Sequence, residues 1–174
     1  MEPFYQGALD SLCGVYSIVN AVRKVTKNID SQDKFAEIIT YLDSKKDLCN
    51  IIIHEGVSRQ ILSGIFNEVI GDKVKVHSPF WKKPDTDLET FWNEMINFLD
   101  NEDKHAILIC LGGRIWDHWS VVDSITNNQI RFFDSDSLKR LNRNRCTTQK
   151  ETKARPHILL PTHTYFISGK KKIT

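Results

Sequence analysis

Apolar residues recur every three or four positions through much of the first part of the chain, and this spacing predicts helices. In the segment 12–25 the apolar side chains fall on one helical face, and Asp10 or Ser11 is expected to cap its start. Further helices are predicted over residues 31–42, 57–70 and 87–99. The first part of the chain is therefore expected to be mainly helical.

From residue 105 the period of the pattern changes to two, which is typical of strands. Residues 105–111 form a nearly continuous apolar run, as in a buried strand, and the segments 116–125 and 129–133 follow it across turn signals. Shorter strands are predicted at 73–77, 157–160 and 164–168, and residues 138–155 are predicted to form a loop. Helices followed by successive antiparallel strands predict an α+β fold, as a single domain over residues 1–174.

The composition fits a soluble domain. The chain has 174 residues, of which 40% are apolar, and this excludes a wholly disordered chain. No run approaches the roughly 18 to 20 apolar residues of a membrane-spanning helix, and the N-terminus lacks the layout of a secretory signal. The cysteines Cys13, Cys49, Cys110 and Cys146 are therefore expected to be reduced. We expect a cytoplasmic protein, or an effector delivered without a cleavable signal peptide.

Basic residues are concentrated near the end of the chain. The net charge is only +2, yet residues 138–174 contain ten Lys and Arg and one acidic residue, Glu151. Such a segment can bind an acidic protein face, a phosphate-rich polymer or an anionic membrane surface, or it can be a solvated face. Because no aromatic residues are interleaved with these charges as on a nucleic-acid platform, nucleic acid is not the expected partner. An acidic partner protein remains a hypothesis.

Two residues are candidates for nucleophilic chemistry. Cys13 lies at the predicted start of the first helix, where the partial positive charge of a helix N-terminus favours a thiolate, and Gly14 is expected to leave room for a substrate carbonyl. His118 begins a predicted strand, where a catalytic base can be held rigidly. Either residue can instead be structural, since buried free cysteines and packed histidines are both common.

A carboxylate is expected close to His118. If the chain turns at Asn127-Asn128, both Asp134 and Asp136 fall within a few residues of the position opposite His118. Such a carboxylate orients the imidazole and stabilises its charged form. Asp117 is a nearby competitor, whereas Asp123 lies an odd number of residues from His118 and should face away.

Other side chains complete the candidate site. Gln6 precedes Cys13 and can donate from its amide to an oxyanion, together with the backbone N–H of Cys13. Trp119 and Trp116 can wall a cleft, although core packing is expected for at least one of them. The sequence has no Cys-x-x-Cys or His-Glu-x-x-His pattern, no phosphate loop and no dinucleotide fingerprint, so neither a metal nor a cofactor is expected.

The order of these residues resembles the papain-like cysteine protease superfamily, in which a glutamine, a cysteine on a helix, a histidine on a strand and an Asp or Asn follow one another. The matching stretches cover most of the chain and read YQGALDSLCGVYSIVNAV, EGVSRQILSGIF, HAILICLGGRIWDHWSVVDSI and IRFFDSD. They look most like bacteriocin-leader-processing (double-glycine-leader) peptidase domains.

The resemblance implies a papain-like fold, in which an N-terminal helical part packs on a C-terminal antiparallel sheet with the active site between them. It also implies roles for Cys13 as the nucleophile, His118 as the base, Asp134 as the group that orients the imidazole and Gln6 as the oxyanion donor.

These roles predict an enzyme that attacks an amide carbonyl of a protein or peptide and passes through a thioester. It is a peptidase if the leaving amine is a backbone nitrogen, and a deamidase if ammonia leaves a glutamine. If another nucleophile replaces water, the enzyme is an acyltransferase. The competing hypothesis is a catalytically silent binding module of the same fold, in which Cys13 is inert and the basic segment docks an acidic partner.

Overall fold

The computed structural model describes residues 1–7, 10–26, 29–45, 48–100, 104–113 and 117–170. Its helices are α1 (Cys13–Val25), α2 (Ser31–Ser44), α3 (Leu48–Asn50), α4 (Arg59–Ile65) and α5 (Leu88–Asp100). Two π-helical turns follow α3 and α4, at Ile51–Glu55 and Phe66–Ile70, and 3₁₀ turns lie at Gly71–Lys73 and Arg143–Arg145. The helices predicted at 12–25, 31–42, 57–70 and 87–99 are confirmed. The segment predicted at 57–70 consists of α4 followed by a π-helical turn.

The strands form one sheet. They are β1 (Val74–His77), β2 (His105–Gly112), β3 (His118–Ile125), β4 (Gln129–Phe133), β5 (Arg140–Asn142), β6 (Cys146–Thr147) and β7 (His157–Gly169). The order is β1-β7-β2-β3-β4-β5 with antiparallel neighbours, and the short β6 pairs with β7 in parallel. The predicted α+β class with an antiparallel sheet is confirmed, except that β6 pairs with β7 in parallel.

Helices cover both faces of the sheet. On one face α1 packs against β2 and β3, and α2 packs on α1. On the other face α5 packs against the same two strands through Phe91, Trp92 and Met95. Successive residues of β2 alternate between these two cores, which explains why its sequence is a continuous apolar run. The valines and isoleucines of α1 are buried in the first core, so packing rather than helix propensity stabilises α1.

Two predictions for the last third of the chain are wrong. Residues 138–155 are not a plain loop, because β5 and β6 lie within them; β5 buries only Leu141 and joins the sheet through its backbone, so it has no apolar pattern. The strands predicted at 157–160 and 164–168 are a single strand, β7. Its register against β2 shifts between Ile109 and Leu111, so that residues 160–163 bulge from the ladder.

Within the part of the chain that the structure describes, no helix combines the length and the apolar character needed to cross a bilayer.

Candidate active site

A cavity of about 690 Å³ lies where the first turn of α1 meets the start of β3 and the bulge of β7. Gln6, Cys13, His118 and Trp119 all line it, although they are widely separated in sequence. Asp134 is hydrogen-bonded to His118 and is not part of the lining. The fold therefore brings together the five residues that the sequence singled out.

Cys13 is the first residue of α1 and is half-buried. The N-cap is Leu12, without a side-chain hydrogen bond, so the predicted cap at Asp10 or Ser11 is wrong. Asp10 instead accepts the N–H of Leu12 on Oδ1 at 3.0 Å and the N–H of Gly7 on Oδ2 at 3.1 Å. Its carboxylate therefore fixes the turn before the helix, and among the described residues no side chain caps the first turn.

Gly14 serves the packing of α1. A Cβ at this position would lie 3.0 Å from the Cβ of Val57 and 3.3 Å from the Trp119 ring. The glycine therefore allows α1 to approach these two side chains closely, and its role as space for a substrate carbonyl stays a prediction.

His118 is the first residue of β3, and only 6% of its surface is exposed. Its Nε2 atom lies 2.7 Å from Oδ2 of Asp134, and it lines the same cavity as Cys13, whose proximity helps to raise the pKa of His118. Because Nε2 is engaged by Asp134, Nδ1 is the ring nitrogen left for a contact with Cys13. The imidazole therefore lies between a thiol and a carboxylate.

Asp134 is held by hydrogen bonds to both carboxylate oxygens. Besides the contact with His118, Oδ2 accepts a hydrogen bond from the Ser120 hydroxyl at 2.5 Å. Oδ1 accepts the backbone N–H groups of Asp136 at 2.8 Å and Leu138 at 2.9 Å. The carboxylate is buried, with 3% of the residue exposed, and these bonds offset the cost of removing it from water.

The two ionisable groups shift each other's pKa. Burial by itself lowers the pKa of His118, but the hydrogen bonds to Asp134 and Cys13 and their charges outweigh it and raise the pKa to about 10. Burial raises the pKa of Asp134, but His118, Ser120 and Leu138 more than offset this and hold it below its ordinary value. At neutral pH the pair is therefore an imidazolium and a carboxylate.

These shifts determine how the pair contributes to stability across pH. Because the pKa of His118 is raised in the folded state, its contribution is fully present below its ordinary pKa of 6.5 and is lost as pH rises through about 10. The pKa of Asp134 is lowered, so its contribution is present above its ordinary value of 3.8 and is lost as pH falls below it.

Gln6 is positioned by an N-terminal strap, residues 1–7, that crosses from α1 to the loop after β4. Asn20 of α1 holds the strap by accepting the N–H of Phe4 at 2.7 Å and donating to its carbonyl at 3.1 Å. The N–H of Gln6 donates to the Ser135 carbonyl at 2.9 Å, and Nε2 of Gln6 donates to the Asp10 carbonyl at 2.5 Å. Among the described residues its Oε1 is buried without a hydrogen-bond partner.

Trp119 is both a cavity wall and a core residue. It lines the cavity, and its ring packs among the buried residues between α1 and the sheet. Its Nε1–H donates to the Val57 carbonyl at 3.1 Å, which fixes the ring. Trp116, the other tryptophan considered as a wall, lies outside the described residues.

The remaining acids do not take the place of Asp134. Asp136 is exposed and contacts Asp134 through its backbone N–H. Asp117 is exposed at the cavity rim. Asp123 pairs with Lys24, in the last turn of α1, at 2.5 Å, and it is not among the residues that line the cavity.

The other thiols differ from Cys13. Cys110 and Cys146 are buried, and burial raises the pKa of each thiol to about 12, with Asp117 and Cys13 adding to the effect at Cys110. Cys49 is exposed, away from the cavity lining. Within the described ranges, no group of three or more His, Cys, Asp and Glu side chains is arranged to hold a metal ion.

Three residues of the site were not anticipated from the sequence. Ser120 lies two positions after His118 and therefore shares its strand face. Because Ser120 is a polar residue within an apolar strand, the sequence could have identified it as a candidate partner of the site. Asn20 similarly interrupts the apolar face of α1. His163 reaches the cavity through the bulge of β7, for which the sequence carries no comparable signal.

Comparisons of the chain with protein-family models, with curated proteins and with solved structures give no match.

Replacing Asp134 with Asn keeps the shape of the side chain but removes its charge. We expect the pKa of His118 to fall by about two units or more, because burial continues to lower it while the carboxylate no longer opposes that effect. Titration of the imidazole C–H resonances by NMR, assigned with His118→Ala, measures the shift. Asp136→Asn is the matched control and should leave the titration unchanged. An unaltered pKa in Asp134→Asn would contradict the assigned pairing.

Proposed function

We propose that this protein is a cysteine hydrolase of the papain-like class, which cleaves an amide bond in a peptide or protein through a thioester. The observation that carries the proposal is the buried pair of His118 and Asp134 beside the cavity that Cys13 also lines, with the thiol at a helix start. The packing of α1 on an antiparallel sheet, with the cavity at their junction, supports the papain-like fold that the sequence resembles.

The protonated ring of His118 supplies the electrostatic condition for attack. An imidazolium beside Cys13, together with the positive end of the α1 dipole, stabilises a thiolate. The thiolate sulfur attacks the carbonyl carbon of the bound amide, and the carbonyl π electrons move onto oxygen to form a tetrahedral oxyanion. Asp134 keeps the imidazolium oriented throughout this step.

The oxyanion is stabilised by donors at the start of α1. The backbone N–H of Cys13 is one donor, and Nε2 of Gln6 is the second. One N–H of this amide group donates to the Asp10 carbonyl, which holds the side chain in place, and the other remains for the oxyanion.

Proton transfers by His118 complete the reaction. As the tetrahedral intermediate collapses, the carbon–nitrogen bond breaks and the imidazolium gives its proton to the leaving amine. The neutral imidazole then takes a proton from water, whose oxygen attacks the thioester carbonyl. Breakdown of the second intermediate releases the carboxylic acid and restores the Cys13 sulfur.

The reaction class is tested by digesting a peptide library in water labelled with oxygen-18 and analysing the products by mass spectrometry. A peptidase creates new C-termini that carry the label, because water opens the thioester. A deamidase would instead place the label in glutamates derived from glutamine, without new termini. A transferase would form new amide links without the label. Deamidase products alone or transferase products alone would contradict peptidase activity.

Matched variants connect these products to the site. We expect Cys13→Ala to abolish them, His118→Ala to reduce their rate by at least about a hundredfold, and Cys49→Ala to leave the rate unchanged because Cys49 does not line the cavity. Wild-type protein that forms none of the three product classes would favour the binding module. Products that persist in Cys13→Ala would exclude Cys13 as the nucleophile.

We also propose that an acidic face of the partner or substrate protein binds the basic excursion, defined as residues 139–155. Exposed cations are spread along it, namely Lys139, Arg140, Arg145, Lys150, Lys153 and Arg155. Among the described residues none of these six forms an ion pair. Arg143 differs, because it pairs with Glu89 at 2.7 Å and lies over the Trp92 ring.

The double change Arg140→Glu and Arg145→Glu should weaken binding of poly-L-glutamate by about tenfold at low salt, since it replaces attraction by repulsion. Fluorescence anisotropy with the labelled polymer measures the change. Lys75→Glu with Lys82→Glu, which reverses two exposed charges outside the excursion, is the matched control. If both double variants bind equally, the excursion has no special role.

A further inference from the structure

Arg59 brings a cationic side chain to the wall of the cavity that contains Cys13. It is the first residue of α4 and lines the cavity together with Val57, Ser58 and Gln60. His163, on the β7 bulge, also lines the cavity. Burial is the main cause that lowers the pKa of His163, and the charge of the Arg59 guanidinium lowers it further. The positive charge of Arg59 therefore acts within the cavity.

The side chain of Arg59 is held in place by aromatic residues. Its guanidinium lies over the ring of Trp81, and the Tyr165 ring is the next aromatic contact, at 5.9 Å. The backbone carbonyl of Arg59 accepts a hydrogen bond from the Tyr165 hydroxyl at 3.2 Å, and that hydroxyl also lies 3.0 Å from Oγ of Ser63. Stacking of this kind orients the planar guanidinium before a ligand arrives.

The structure leaves the guanidinium without a charged partner. In the part of the chain that is described, no carboxylate lies within ion-pair distance of Arg59, and its Nε atom is buried without a hydrogen-bond partner. Burial lowers the pKa of Arg59, against smaller opposing effects of the charge of Tyr165 and of a hydrogen bond with the Tyr165 side chain. The guanidinium charge is therefore not neutralised by a described carboxylate, and it is available to an anionic ligand in the cavity.

The other charges of the cavity limit the kind of anion. Asp117 and Asp136 line the same cavity and would repel a doubly charged phosphate more strongly than a singly charged carboxylate. Gln6 lines the same cavity and adds a polar side chain without charge. A peptide with one carboxylate therefore fits the charges of this cavity better than a phosphate does.

We propose that Arg59 is a specificity-determining residue that binds a carboxylate of the peptide seated beside Cys13. This inference rests on the proposed function for the identity of the peptide as a substrate, but carboxylate binding itself does not require cleavage. The carboxylate comes from an acidic side chain or from the C-terminus of the peptide, and the guanidinium fork binds either one in the same way.

The test measures how well peptides protect Cys13 from iodoacetamide, with alkylation followed by mass spectrometry and Cys49 as the internal reference. The probes are N-acetylated alanine pentapeptides in three forms: a central Glu with an amidated end, a central Gln with an amidated end, and all-alanine with a free carboxylate. We expect a carboxylate-bearing probe to protect at about tenfold lower concentration than the Gln probe. The form that protects identifies the source of the carboxylate.

The preference should disappear in Arg59→Gln and persist in Arg131→Gln, which removes an exposed cation on β4. Arg59→Lys, which keeps the charge but not the fork, should retain part of it, and circular dichroism verifies that each variant is folded. Equal protection by all probes, absence of protection at millimolar concentration, or an undiminished preference in Arg59→Gln would each overturn the proposal. Protection without turnover would contradict the proposed hydrolase and leave the carboxylate site standing.

Discussion

Burying the carboxylate of Asp134 carries a large desolvation cost, and the structure around it is arranged so that both oxygens are bonded. The bond to Nε2 of His118 joins the end of β4 to the start of β3 and fixes which ring nitrogen is left for Cys13. It also keeps the imidazole charged at neutral pH. Without this carboxylate, the largest contribution that opposes the lowering of the His118 pKa by burial would be lost.

The position of Cys13 relative to that pair depends on how α1 is attached to the sheet. Ser17 donates to the Trp119 carbonyl at 2.7 Å, one turn beyond the thiol, and Gly14 allows the helix to approach the Trp119 ring. The strap held by Asn20 then crosses to the carbonyl of Ser135, next to Asp134. The helix, the strand and the loop that carry the candidate residues are thus connected by hydrogen bonds that do not involve the side chains of Cys13, His118 or Asp134.

Much of this architecture follows from the sequence, because hydrophobic period and turn signals are local. The period identified α1 and β2, and the turn at Asn127-Asn128 placed Asp134 near His118. The finer register was not predictable, since the irregularity between Val122 and Ser124 shifts the pairing by one residue. As a result Asp134 lies opposite Ser120 on β3, whereas the unshifted pairing would place it opposite Val121. The β7 bulge and the strand β5 were also missed, because backbone pairing rather than an apolar pattern determines them.

The rate of alkylation of Cys13 by iodoacetamide as a function of pH tests most directly whether Cys13 and His118 act as an ion pair. Peptide mapping resolves Cys13 from exposed Cys49 in the same molecule. An ion pair predicts fast alkylation of Cys13 well below pH 8, where an ordinary thiol is protonated, and loss of that advantage in His118→Ala. If Cys13 follows the same pH dependence as Cys49 in both proteins, the imidazolium does not activate the thiol and the proposed catalytic set is contradicted.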